Sequence, residues 1–131
     1  MTTIIVAAAV IEREGRFLVT RRLEGTHLAG TWEFPGGKRE AGESLDACVR
    51  REILEELGAV CTVGAEIFAI THEYPERRVA LYFFACTLHG EPAALLGQEM
   101  RWVPREQLHE LQFPPADAEL LRMLAGPERR D

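Results

Sequence analysis

Hydrophobic residues along this chain fall into short runs separated by Gly, Pro and charged residues, and this pattern predicts the secondary structure. It predicts β-strands over residues 4–11, 16–21, 60–71, 78–88 and 100–103. Turn signals lie at Glu14-Gly15 and around Tyr74-Pro75-Glu76. Strands and helices mix without strict alternation, which predicts an α/β fold in which a mixed β-sheet is sandwiched between helices.

One segment instead repeats its apolar residues at helical spacing, in a row formed by Leu45, Val49, Ile53 and Leu57. Ser44 is suited to be the N-cap of this helix, and Gly58 is suited to end it in the left-handed conformation. A short helical piece is predicted from Pro104 to about Leu111, and a last helix after Pro115. Residues 126–131 are expected to form a frayed tail.

Length and composition change this picture little. The 131 residues are expected to form a single domain, 1–131, and 47% hydrophobic residues are ordinary for a globular protein. The net charge of −6 argues against a nucleic-acid polymer or a membrane surface as partner. The odd number of cysteines, Cys48, Cys61 and Cys86, favours reduced thiols and a cytoplasmic location.

The predicted helix places Glu52, Glu55 and Glu56 side by side, where like charges repel by about 0.2–0.5 kcal/mol per pair. One interpretation is a solvated face whose charges pair with Arg50 and Arg51. The other is a cation site, because clustered carboxylates suit Mg²⁺ or Mn²⁺. Two of the glutamates border the apolar row instead of lying on the far face, which favours the cation site.

The stretch from residue 37 to 59 resembles the Nudix box, G-x5-E-x7-R-E-U-x-E-E-x-G-U, where U is a bulky aliphatic residue. Every fixed position is occupied, by Gly37, Glu43, Arg51, Glu52, Glu55, Glu56 and Gly58. Ile53 fills the first U position, whereas Ala59 is small for the last. The resemblance implies the Nudix fold.

The resemblance also implies a mechanism and its residues. Nudix hydrolases cleave a nucleoside diphosphate linked to another group, with divalent cations bound at the box helix. Their ligands would here be Glu52, Glu55, Glu56 and the Gly36 carbonyl. Glu52 would in addition orient or deprotonate the attacking water, while Arg51 would hold the carboxylates and Glu43 would support the loop and helix.

The segment "TRRLEGTHLAGTWEFPGGKREAGE" is similar to the MutT type of this family. By position, Arg22 and His27 would reach the phosphates or sugar of a nucleotide, and Phe34, Glu76 and Asp117 would lie near the base. Lys38 is a further expected substrate-binding residue. A solvated loop histidine is the alternative for His27, and core packing is the alternative for Phe34. For Trp32 we favour core packing.

Two positions depart from the MutT pattern. Asp117 stands where bacterial MutT-type enzymes usually carry asparagine, and a branch that hydrolyses CTP and modified cytidine triphosphates resembles this chain there. Asp117 could instead cap the last helix. Leu96 stands where many relatives have a glutamate that binds metal or acts as base. Glu99 could replace that glutamate, or it could be a solvated loop charge.

The resemblance therefore implies a Mg²⁺-dependent pyrophosphohydrolase, monomeric or weakly dimeric, that converts 8-oxo-dGTP or a related nucleotide to the monophosphate and pyrophosphate. The first alternative is a CTP or 5-methyl-dCTP pyrophosphohydrolase. The second is a nucleotide-binding module without activity, which the intact box disfavours.

Overall fold

The computed structural model describes residues 2–126. Its strands are β1 (Thr3–Arg13), β2 (Arg16–Arg21), β3 (Trp32–Glu33), β4 (Gly36–Lys38), β5 (Val60–Tyr74), β6 (Arg77–His89) and β7 (Met100–Pro104). The α-helices are α1 (Leu45–Leu57) and α2 (Ala118–Ala125), and short 3-10 helices span Arg105–Glu110 and Pro115–Asp117. Of the predicted frayed tail, residues 127–131 lie outside the described part of the chain.

The strands form one mixed sheet with the path β3-β2-β1-β6-β5. β1 runs parallel to β6 and antiparallel to both β2 and β4. β2 pairs with β1 only at the hairpin end, and β4 then takes its place beside Val6, Ala7 and Ala8. The short strand β4 therefore lies against the middle of the sheet, directly under the helix that follows it.

Alternate side chains of β1 enter two separate cores, as the two-residue period of a strand requires. Ala7, Ala9 and Ile11 face α1, whereas Ala8 and Val10 face the other layer. That other layer is covered by the 3-10 helix and α2, through Leu108, Leu120 and Leu124. Helical elements thus cover both faces of the mixed sheet, as the sequence predicts.

The boundaries of α1 are those that the sequence predicts. The Ser44 hydroxyl accepts a hydrogen bond from the Ala47 N–H at 3.1 Å, and Gly58 ends the helix with φ +64°. The apolar row of α1 is buried at Val49, Ile53 and Leu57. The edge of the row that carries Cys48, Glu52 and Glu56 is thereby turned toward β4.

The three cysteines are free thiols, and each is buried among other core side chains. Burial raises the pKa of the Cys48 thiol to about 11. No helix within residues 2–126 is long and apolar enough to cross a membrane.

Candidate active site

The glycines of β4 allow two unusually close approaches. A Cβ at Gly36 would overlap the backbone of Ala7 and Ala8 in β1, and a Cβ at Gly37 would overlap the carboxylate of Glu52. The lack of a side chain at these positions therefore lets β4 pair with β1 while α1 lies directly on top of it. The acidic edge of α1 is held against the backbone of residues 36–38.

Arg51 organises the carboxylates on this edge. Its Nε and Nη2 donate to both oxygens of Glu43 at 2.7 and 2.9 Å, a bidentate pair that lowers the pKa of Glu43 to about 2. Its Nη1 donates to Glu52 at 2.8 Å and to Glu55 at 3.3 Å. Nη2 also donates to the Lys38 carbonyl at 3.0 Å, so the guanidinium ties the helix to β4.

Of these carboxylates, Glu56 has the least favourable environment for its ionised form. Burial raises the pKa of Glu56 to about 9, and repulsion from Glu52 and Glu33 adds to that rise. A backbone hydrogen bond from Gly36 offsets only part of it. The site therefore disfavours a second negative charge beside Glu52 in the absence of a cation.

These carboxylates suit a divalent cation for two reasons: the chemical type of their oxygens, and the mutual repulsion that a cation would remove. Their donors are hard carboxylate oxygens, which Mg²⁺ and Mn²⁺ prefer, and a cation between Glu52 and Glu56 would remove their mutual repulsion. A complete set of metal ligands is not assembled in this arrangement. Within residues 2–126, no three acidic, histidine or cysteine side chains converge closely enough to hold a metal ion. Glu55 is turned toward Arg51 and is 58% exposed.

The loop before β7 is fastened to the C-terminal end of α1. Leu95 N–H donates to the Glu56 carbonyl at 3.0 Å, and the Gln98 side chain donates to the same carbonyl at 3.2 Å. Gln98 Oε1 accepts from the Leu96 N–H at 2.9 Å. These contacts place Leu96 beside Glu56, where both line a cavity of about 160 Å³.

Glu99 does not lie in this cluster, so its position favours the alternative of a solvated loop charge over a replacement for the ligand missing at Leu96. Its carboxylate pairs with Arg21 at 2.9 Å and lies 3.9 Å from Arg101, and it lines neither cavity. The reason is the strand period: β2 and β7 pair Val19 with Arg101, and Glu99 continues along that edge instead of turning toward α1.

A larger cavity, of about 470 Å³, opens on the other side of β4. Apolar side chains form its floor, and charged or hydrogen-bonding side chains form its rim. The lining includes Ile4, Val6, Ala8, Phe34, Val79, Leu81 and Phe83 among the apolar residues, and Arg22, Thr26, His27, Glu33, Lys38, Tyr74, Arg77 and Asp117 among the polar ones. Gly36 and Gly37 complete its wall, so the cavity ends at the acidic helix.

Arg22 and Glu33 line both cavities, and their side chains pair at 2.8 Å. Arg22 Nε also donates to the His27 carbonyl. The His27 ring lies edge-on to Tyr74, with centroids 4.8 Å apart, and burial together with Arg77 lowers the pKa of His27. The loop that carries His27 therefore lies beside the large cavity, with the His27 ring against Tyr74, although His27 itself is exposed to solvent.

Phe34 and Asp117 are buried residues in the lining of the large cavity. Phe34 packs between Phe83 and Phe113, so it belongs to the core and to the cavity wall at once. Asp117 is 5% exposed, and burial raises the pKa of its carboxyl to about 7. Its side chain makes no capping hydrogen bond to α2, which removes helix capping as the reason for an aspartate here.

Three further positions complete the comparison with the sequence prediction. Lys38 lines the large cavity, and Trp32 is a core residue, 5% exposed and beneath the guanidinium of Arg101. Glu76, which the sequence places near the base, is an exposed turn residue that does not line this cavity. Arg77, the next residue along the chain, does line it.

Sequence reasoning missed Glu33, Tyr74 and Arg77. Glu33 lies between Trp32 and Phe34, and a charged residue between two buried aromatics is the signal that could have identified it. Tyr74 and Arg77 flank the predicted Pro75-Glu76 turn. Only the pairing of β5 with β6 shows that these two flanking residues face the cavity.

Comparisons with known proteins agree with this geometry. The family model described as "NUDIX domain" matches residues 6–123. A protein named 8-oxo-dGTP diphosphatase from Haemophilus influenzae is 41% identical over 122 residues, which cover 91% of this chain and 89% of the relative. A CTP pyrophosphohydrolase from Escherichia coli is 37% identical over 122 residues, 92% of this chain and 90% of that protein.

Among solved structures, a MutT protein from Methanosarcina mazei superposes with a TM-score of 0.84 at 29% sequence identity. The match covers 94% of this chain and 93% of the other. Similarity to these proteins therefore extends across both cavities and the acidic helix.

Proposed function

We propose that this chain, which belongs to the NUDIX domain family and is a MutT-type Nudix hydrolase, removes pyrophosphate from a nucleoside triphosphate and releases the monophosphate. The observation that carries the proposal is the contact between the two parts of the site. The large cavity is lined by Phe34 and Asp117 and also by Gly37, whose backbone lies against the Glu52 carboxylate. A base bound among the aromatics would direct its phosphates at the acidic helix.

The residues that would hold a divalent cation are Glu52, Glu55, Glu56 and the Gly36 carbonyl, with Mg²⁺ or Mn²⁺ as the ion. When bound, such a cation neutralises phosphate charge, orients the leaving group and makes a bound water more acidic. Glu55 would have to turn from Arg51 toward the cluster, a change that its exposed side chain permits.

The chain's own residues prepare the water and the phosphates. Glu52 is held by Arg51 at 2.8 Å and lies against Gly37, so its carboxylate is positioned to orient the attacking water and accept its proton. Glu43 is a positioning residue that fixes Arg51 through a bidentate pair. Arg22 and Lys38, on the walls of the large cavity, are the cations that would receive the phosphates.

The residues of the site restrict the identity of the base less than they restrict the position of the phosphates. 8-Oxo-dGTP is the first candidate, since the 41% identical relative carries that activity in its name, and CTP is the second, from the 37% identical relative. A buried Asp117 with a pKa near 7 can accept from an N–H group when ionised and donate to a carbonyl when neutral. Both an oxidised guanine and a cytosine present such groups.

We expect the enzyme to act in the cytoplasm, where thiols such as Cys48, Cys61 and Cys86 stay reduced, and to be a monomer or weak dimer. We expect no nucleic-acid polymer as partner, given the net charge of −6.

The test is pyrophosphate release from a panel of 8-oxo-dGTP, dGTP, CTP, dCTP, 5-methyl-dCTP and a nucleotide sugar, with Mg²⁺ and with a chelator. Preference for 8-oxo-dGTP, lost with the chelator, supports the first candidate, and preference for the cytidines supports the second. Binding of a nucleotide without turnover of any panel member would overturn the proposal in favour of a binding module.

A further inference from the structure

Glu33 is a half-buried carboxylate without a role in the proposed mechanism. It lies on β3 opposite Thr20 of β2, and its side chain is 31% exposed, about the same as that of its partner Arg22. Burial raises the pKa of Glu33, so placing a charge here is costly. Glu52 and Asp117 are close enough for mutual repulsion with Glu33, which adds to that cost.

The Glu33 carboxylate holds the side chain of Arg22 through a hydrogen bond. Within residues 2–126, hydrogen bonds engage Nε, with the His27 carbonyl, and Nη1, with Glu33 at 2.8 Å. The backbone of Arg22 is fixed as well, since its N–H donates to the Thr31 carbonyl at 2.9 Å. A guanidinium has five N–H donors in a rigid plane, so these two anchors fix the plane, and donors beyond these two remain to bind phosphate oxygens.

The position of the pair suggests what the fixed plane is for. Arg22, Glu33 and Thr26 are the side chains that line both the large cavity and the small cavity beside Glu56. A nucleotide that spans the two cavities must pass this pair with its phosphates. An arginine held in one orientation binds phosphate oxygens without first losing side-chain entropy.

We propose that Glu33 is a positioning residue of the reaction, which acts through Arg22 by holding its guanidinium in the orientation that receives the phosphates between the two cavities. This inference rests on the proposed pyrophosphohydrolase function. It differs from a merely structural role, because removal of Glu33 should matter only while Arg22 is present.

A double-mutant cycle tests the inference, with kcat and KM measured for wild type, Glu33→Gln, Arg22→Ala and the double variant on the best substrate of the panel. We expect each single change to lower kcat/KM by roughly 10- to 100-fold. The double variant should lie within about twofold of Arg22→Ala, since coupled residues do not add. Losses that multiply in the double variant would overturn the proposal.

A binding measurement with a non-hydrolysable α,β-methylene nucleoside triphosphate accompanies the kinetics. Weaker binding of this analogue by Glu33→Gln, but no further weakening when Glu33→Gln is added to Arg22→Ala, supports positioning. If Glu33→Gln does not fold, Glu33→Asp replaces it, because it keeps the charge and withdraws it from Arg22 by one methylene. An unchanged affinity and kcat/KM in Glu33→Asp would contradict the proposal.

Glu12→Gln is the matched control, since it removes another Arg–Glu pair, to Arg105 at 2.6 Å, far from both cavities. It should leave kcat/KM unchanged. Absence of turnover in the wild type would count against the proposed function. Turnover in the wild type with an additive cycle would count against the role of Glu33 alone.

Discussion

The α-carbon of Gly37 faces the carboxylate of Glu52 so closely that a single added methyl group would overlap it. The contact joins the strand that ends the large cavity to the helix that carries the acidic cluster. Gly37 limits the position of the Glu52 carboxylate on the side of β4. Arg51 Nη1 holds the same carboxylate through a hydrogen bond of 2.8 Å to Glu52 Oε1. Two independent constraints therefore act on one carboxylate.

Gly37→Ala should accordingly displace Glu52. The overlapping atoms are the end of a flexible side chain that can turn away, so the free energy of unfolding measured with urea should fall by less than the roughly 1–3 kcal/mol typical of overpacking. Turnover should fall as well, because the carboxylate moves from the scissile phosphate. If the stability loss persists in Gly37→Ala/Glu52→Ala, where the overlapping group is gone, the contact with Glu52 is not its cause.

Glu52→Gln should keep the fold and lower turnover by roughly 10²-fold or more, because an amide cannot accept the proton of the attacking water. Steady-state kinetics on the best substrate, with circular dichroism as the check on folding, measure this. Asp46→Asn on the exposed side of the same helix is the control and should retain activity. Near-normal turnover in Glu52→Gln would remove Glu52 from the mechanism.

Glu56→Gln should melt at a higher temperature than the wild type in metal-free buffer, since it removes a buried carboxylate repelled by Glu52 and Glu33. Mg²⁺ should stabilise the wild type by about 2.7 kcal/mol at a hundredfold excess over its Kd. This gain should disappear in Glu56→Gln. Equal stabilisation of both proteins by Mg²⁺ would show that the ion binds elsewhere.

Leu96→Glu should add a carboxylate beside Glu56 in the small cavity and tighten Mn²⁺ binding by on the order of tenfold, because affinity rises with the number of charged ligands. Titration calorimetry with Mn²⁺ alone measures this without reference to activity. Leu95→Glu is a matched control, since Leu95 is the neighbouring residue, similarly exposed, and does not line that cavity. Equal tightening by both variants would indicate a general charge effect.

Asp117→Asn should change how stability depends on pH. The Asp117 pKa is about 7 against an ordinary 3.8, so its stabilising contribution is complete below pH 3.8 and is lost as pH rises through 7. Asparagine does not titrate. Between pH 5 and pH 8 the wild type should therefore lose about 2 kcal/mol more than Asp117→Asn in urea unfolding. Parallel pH profiles would place the Asp117 pKa near its ordinary value.

The sequence predicts local features of this protein well and contacts across the sheet poorly. The ends of α1 depend on Ser44 and Gly58, which act within one helical turn, so they are readable directly. The strands β3 and β4 are two and three residues long and exist only because β2 and β1 lie beside them. No periodicity can develop over such lengths.

The same distinction applies to the site. The resemblance places Glu52 and Glu56 together because both lie on one helix, and the structure keeps them together. Glu99 lies in a segment whose direction depends on strand pairing, and there its carboxylate pairs with Arg21. The pairing of Arg22 with Glu33 joins the residue after β2 to β3 across a long loop, and it could be found only in three dimensions.

The burial of all three thiols has a consequence for how this hydrolase withstands oxidants. Peroxide attacks accessible thiolates, and Cys48, Cys61 and Cys86 are each at most 8% exposed. The site itself is built from carboxylates, guanidinium groups and aromatic rings, and no cysteine lines either cavity. The site is thus assembled without thiols, and activity should survive peroxide concentrations that oxidise exposed cysteines.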